Sequence, residues 1–319
     1  MSASLLHYRG WQGQFRGPMS SVWPIARVAL ATLLRRRMFW VVYSFGMLLF
    51  LMFFFGQYLL VFAETQIPTD IQINGRKVGL EILMSFSRAA LRVLNGSRET
   101  FAVFLNFQAS IVVVMLSLAG AVMVGNDFTE RSLPFYLAKP ITRRHYLLGK
   151  SLAIGVIVNL LTTLPALVLF VQHGLEDWAY FADPDYFHPE GGPGGWLLLL
   201  GVLGYGLVLT MFLSLFLVTM VTLVRRTVPL VMLWVSMFFF MRIVSGLLVG
   251  ILKWDARFRL LDLWNDMSLL GRACLGYEHA RLGMQPQPTY FDAGLTLAGV
   301  SLLCLIFLNL RIRAVDIIR

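Results

Sequence analysis

Six apolar runs, at 38–63, 101–124, 147–171, 196–224, 228–252 and 291–310, each hold the roughly 20 residues that a helix needs to cross the hydrocarbon core of a membrane. That feature leaves few folds open. No water reaches the hydrocarbon layer, so backbone N–H and C=O groups must find partners inside the spanning element, and runs of this length do so as helices. An all-α polytopic membrane protein of about six transmembrane helices is predicted. Composition agrees, since 58% of residues are hydrophobic and only 14% charged, where soluble domains carry about a quarter charged residues. One membrane domain covering 1–319 is the simplest organisation.

An even number of spans puts both termini on one side, and the Lys and Arg residues beside the spans indicate which. Arg27, Arg35, Arg36 and Arg37, then Arg131, Lys139, Arg143, Arg144 and Lys150, then Arg225 and Arg226, then Arg311, Arg313 and Arg319 all fall on one face, expected to be cytoplasmic. The opposite face carries basic residues in its first and last loops, but its middle loop is acidic, with Glu176, Asp177, Asp183, Asp185 and Glu190. The net charge of +10 is thus a topology signal, and no nucleic-acid partner is expected. Residues 1–24 show no continuous apolar stretch followed by a small-residue cleavage site, so the first span is expected to direct insertion. Cys304 sits inside the last apolar run, which argues against a disulfide with Cys274.

Ahead of the first span, Val22, Ile25, Ala26, Ala29, Leu33 and Leu34 recur at helical spacing and run into Arg35, Arg36 and Arg37. This predicts an interfacial helix over 22–37, its apolar stripe in the headgroup region and its arginines against anionic membrane lipid. The first outer loop, 64–100, places Asn74-Gly75 between short alternating runs, a hairpin signal, and follows it with an amphipathic pattern over 81–94. The last outer loop, 253–290, is too apolar around Leu260, Leu261, Leu263 and Trp264 for free coil, so short helices on or dipping into the outer leaflet are expected.

The most informative stretch, 125–146, joins the second and third spans on the basic face. Asp127, Phe128, Glu130 and Arg131 precede Ser132, which can cap a short helix whose first turn tolerates Pro134. Leu133 and Leu137 then stack at i and i+4, Phe135 and Tyr136 project elsewhere, and Lys139 and Pro140 end the turn before Arg143. A short apolar-aromatic helix between charges, too small to fold alone, needs a protein or lipid surface. Here the sequence resembles the ABC type-2 permeases, exporter-class transmembrane subunits of ATP-binding-cassette transporters, especially the separately encoded kind of copper-processing and gliding-motility systems. The residues that carry the resemblance are Asp127, Glu130, Ser132, Leu133, Leu137, Pro140, Arg143, Gly149 and Lys150, about 30 residues in all, with a departure at Pro134. The resemblance implies a permease whose 125–146 segment docks into a cytoplasmic ATPase as a coupling helix. It further implies two ATPase copies, a second permease copy as homo- or heterodimer, a bacterial cytoplasmic membrane location, and ATP and Mg bound by the partner, with no cofactor on this chain.

Other candidates are weaker. Gly149-Lys150-Ser151 looks like the tail of a phosphate-binding loop, but Arg144 stands where that loop needs its first glycine. Arg242 lies inside the fifth span, where a cation needs a partner or water. It either faces the pathway or dimer seam, pairs with Glu64 or Glu99, or snorkels outward. Asn159, Thr162, Thr163 and Pro165 make a polar, kinkable patch in the third span that suits a bending pathway helix and suits helix packing better. Gly201, Gly204 and Gly206 favour close helix approach. Five scattered histidines show no ligand spacing. A membrane enzyme would have to use Asp262, Asp266 and His279, whose spacing fits no motif, and a channel or scaffold without ATP coupling is the remaining alternative.

Overall fold

The computed structural model describes residues 22–66, 94–120, 123, 143–183, 186, 194–224, 226–276 and 286–311. Among these there is no strand, and six segments are long and apolar enough to cross a membrane. Helix α1 (Val22–Leu34) precedes the first span, α2 (Arg37–Gln66), and the second span is α3 (Arg98–Gly120). The third pairs α4 (Arg143–Leu161) with α5 (Thr163–Glu176) and is followed by the short α6 (Ala179–Ala182). The fourth span is α7 (Gly195–Val224). The fifth consists of α8 (Thr227–Val235), a π-helical turn over Ser236–Phe240 and α9 (Met241–Gly250). A 3-10 turn (Ala256–Leu261) and α10 (Leu263–Cys274) lead to the sixth, α11 (Tyr290–Arg311). The predicted hairpin at Asn74-Gly75 and nearly all of the helix over 81–94 lie outside the described residues.

The second, third and fourth spans form the core, with 56–67% of their apolar windows buried, against 22% for the first, fifth and sixth. In water such exposed faces would be unstable, but hydrocarbon chains are as apolar as Phe45, Met232 or Leu303, so nothing drives those spans inward. What packs the core is close approach and polar pairing. Gly120 lies against Leu217, Gly155 against Thr210 and Gly206 against Thr163, where any side chain would collide. Asn159 donates from Nδ2 to Gly155 O and to Thr210 Oγ1, both at 2.8 Å, and accepts from Thr163 Oγ1 at 2.7 Å. The third span breaks at Thr162, three residues before Pro165, whose ring nitrogen has no hydrogen to donate. Thr162 Oγ1 bonds Val158 O at 2.8 Å. The polar patch is therefore spent inside the bundle, stapling the third span to the fourth.

At the end opposite α1, α10 folds back against α7 and α11. Gly201 lets Cys274 O come within 2.8 Å of where a Cβ would stand, and Gly271 packs on the Tyr205 ring. Tyr205 is ten residues into α7, so α10 reaches about 15 Å down that helix at 1.5 Å per residue. The short helices expected in this loop are present, and α10 packs against the fourth and sixth spans.

Candidate functional site

The docking segment itself, from Asp127, Phe128, Glu130, Arg131, Ser132 and Leu133 through Phe135, Tyr136, Leu137 and Pro140, lies outside the described residues, as does the Arg143 side chain. Its two anchors are described, and they meet. Met123, on the second-span side, is 1% exposed, and its carbonyl accepts a hydrogen bond from Lys150 Nζ in the second turn of α4. Lys150 is 3% exposed and stands 5.7 Å from the centroid of the fully buried Tyr146 ring. A lysine in an apolar helix ordinarily sends its ammonium to water. Here it is spent on the Met123 carbonyl on the second-span side, and so ties together the two described ends that flank the segment.

The exit side is braced as well. Ile25, Ala26, Ala29 and Leu33 of α1 are buried, and α1 packs chiefly on α4. Four of the six residues of the expected headgroup stripe are thus covered by protein, while Leu34 of that stripe stays exposed with Trp23 and Val28. Gly149 permits the contact, since a Cβ there would meet Ile25 Cβ at 2.8 Å and Val22 O at 3.0 Å. Gly149-Lys150 therefore has two local jobs, neither of them phosphate binding. Sequence reading matched both residues to the family pattern but left Lys150 out of the site. The signal available was a lysine one turn deep in an apolar run.

Around this place Arg27, Arg35, Arg36, Arg37, Arg144 and Arg226 are exposed. The described carboxylates, Glu99, Glu176, Asp177, Asp183, Asp255, Asp262, Asp266 and Asp292, all belong to the opposite ends of the spans. On this face the sequence interrupts the basic field with the segment's own Asp127 and Glu130 and with Asp316 near the C-terminus.

Replacing Lys150 by Met keeps the apolar stem and removes the hydrogen bond to the buried Met123 carbonyl. The variant is expected to lose about 1–3 kcal/mol of stability, the usual cost of a buried acceptor left without its donor. Thermal unfolding in detergent measures this, with Lys150→Arg expected to recover part of it.

The remaining candidates sit elsewhere. Asn159 is half-buried and engaged with the fourth span. Arg242, exposed on α9 just past the π turn, lies in the electrostatic range of Asp262 and Arg259 on the returning loop. The side chain of Glu64 is outside the described residues. Asp262 caps α10, accepting from Trp264 N at 3.1 Å and Asn265 N at 3.2 Å. One turn on, Asp266 is fully buried and neither carboxylate oxygen has a hydrogen-bond partner among the described residues. Burial, and secondarily the charge of Asp262, push it up to about 8. Asp262 is occupied as a cap and His279 lies outside the described residues, and among the described residues no acid–base constellation forms around the pair.

A family model described as ABC-2 family transporter protein matches residues 23–254, from the start of α1 to just past the fifth span. No curated protein matches the chain.

Proposed function

The chain belongs to the ABC-2 transporter family, an integral membrane component of transport, and from that premise we propose that it is the permease subunit of an exporter driven by ATP hydrolysed on separate chains. In this reading two cytoplasmic ATPase subunits dock on two permease copies, each through Asp127 to Pro140. ATP and Mg belong to the partner. The bacterial cytoplasmic membrane is the proposed location, with the basic end inside.

The observation that carries the reading is the pinned frame around the segment. A docking element transmits force only if its ends are fixed to the elements it must move. Lys150 joins the second span to the third, and α1 is wedged against the third through Gly149. The basic field around the frame also favours the negative-potential side of a membrane. Closure of the ATPase pair against Phe135 and Leu137 would then pull on α3 and α4 together, and the polar staple at Asn159 would pass the movement to α7.

Affinity purification from native membranes in mild detergent, with mass spectrometry of what copurifies, tests this. A near-stoichiometric subunit carrying a phosphate-binding loop is expected. The Phe135→Asp, Leu137→Asp double variant should reduce that recovery at least about tenfold by putting two charges into an apolar contact, with its own thermal stability unchanged. Recovery of the chain alone, or full retention by the double variant, would remove the coupling reading and favour a channel or scaffold.

A further inference from the structure

A cavity of about 240 Å³ opens at the elbow where α1 turns into the first span. Its walls are Leu33, Phe39 and Val42 on one side and Met115 and Ala119 of α3 on the other, with Arg36 at the mouth. The elbow is tight: Arg36 N bonds Leu33 O at 2.8 Å, Phe39 N bonds Arg36 O at 3.1 Å, and Trp40 Nε1 bonds Leu34 O at 2.9 Å. Three consecutive arginines, Arg35, Arg36 and Arg37, are therefore presented at one level, all exposed. None has a carboxylate partner among the described residues, whose carboxylates sit at the other end of the spans.

We propose that this elbow is a binding site for one anionic phospholipid, its phosphate on Arg35, Arg36 and Arg37 and part of an acyl chain in the cavity between α2 and α3. The depth of the cavity argues for a lipid rather than a free anion. Met115 lies five residues inside the end of α3, about 7 Å into the apolar layer at 1.5 Å per residue, where only hydrocarbon is at hand to fill an apolar space. The charge argues for an anionic headgroup, because guanidinium groups match phosphate oxygens in paired hydrogen bonds. A soluble partner could reach the arginines but not Val42 or Met115. Occupancy would wedge the elbow against α3 shortly before that helix gives way to the docking segment.

Native mass spectrometry of the full chain in detergent micelles doped with equal amounts of phosphatidylglycerol and phosphatidylcholine tests the site. The wild type is expected to retain phosphatidylglycerol about tenfold in preference, a modest share of what three arginines at a membrane surface can supply. Arg35→Gln with Arg36→Gln and Arg37→Gln should remove the preference while lipid is still retained. Leu118→Trp, which narrows the cavity from a partly exposed position, should lower retention of both lipids and keep the preference. Lys253→Gln with Arg257→Gln, which removes charge at the opposite end, should change neither. Equal retention of the two lipids by the wild type would overturn the proposal. So would a preference that survives the triple arginine variant, unchanged retention in Leu118→Trp, or loss of preference in the Lys253, Arg257 control.

Discussion

A Gly149→Leu chain is expected to melt well below the wild type and, under the proposed coupling, to recover much less of the proposed ATPase subunit. The new side chain must start where Ile25 Cβ and Val22 O already stand, 2.8 and 3.0 Å from its Cβ. Val22 O is backbone, so the collision cannot be relieved by a rotamer change, and α1 has to lift off α4. Overpacking alone costs about 1–3 kcal/mol. Re-exposing the buried Ile25 face adds about 1.5–3 kcal/mol for that one side chain. Thermal unfolding in detergent reads the sum, and Ile25→Ala in the same chain should return part of it by opening space, a coupling that a double-mutant cycle isolates. A Gly149→Leu protein that melts with the wild type would show that α1 is not held against the third span.

Stability should fall as pH rises, and Asp266 is the residue to which that slope is assigned. Its ordinary value is 3.8, and in the folded protein it stands near 8, so the folded state binds the proton more tightly than the unfolded one. The sign follows: the contribution is fully present below about pH 4 and is withdrawn as pH climbs through about 8. The nearby cations do not reverse this, because Arg242 and Arg259 act on Asp262, whereas burial and Asp262 dominate at Asp266. Asp266→Asn should therefore match the wild type near pH 4 and melt progressively higher than it as pH rises towards 8. Melting curves of both chains between pH 4 and 9 provide the check, and other titrating groups cancel in the difference. Parallel slopes would mean that water reaches the carboxylate.

The spans were legible because each is an apolar run of at least 20 residues, and in lipid such a run has one solution. The helix ahead of the first span was legible by its 3.6-residue period. Periodicity names an apolar face but not what covers it, so α1 was assigned to lipid headgroups although protein covers its buried face. The same limit hid the job of Lys150, whose partner is a backbone carbonyl 27 residues earlier and leaves no trace in side-chain pattern. Gly201 and Gly204 announced close approach, yet their partner proved to be α10, a helix of the returning loop. Arg242 announced a need for electrostatic company, and the carboxylate in its range, Asp262, became visible only once that loop was folded back. Asp127 to Pro140 were read as a docking pattern, and that segment lies outside the described residues, whereas the contacts that flank it, from Lys150 to Met123 and from Gly149 to α1, are described.

The described carboxylates lie at one end of the bundle, partly offset there by Arg98, Lys253, Arg257, Arg259 and Arg272, while the arginines of the other end have no described carboxylate beside them, and this imbalance gives the folded protein a dipole along its spans. An elementary charge carried across 100 mV changes in energy by about 2.3 kcal/mol. Arg35, Arg36, Arg37, Arg144 and Arg226 at one surface and the acidic residues at the other all lie at the extremes of that drop. The resting voltage therefore bears on which way up the chain settles during biogenesis, and a de-energised cell is expected to yield a larger fraction of inverted protein.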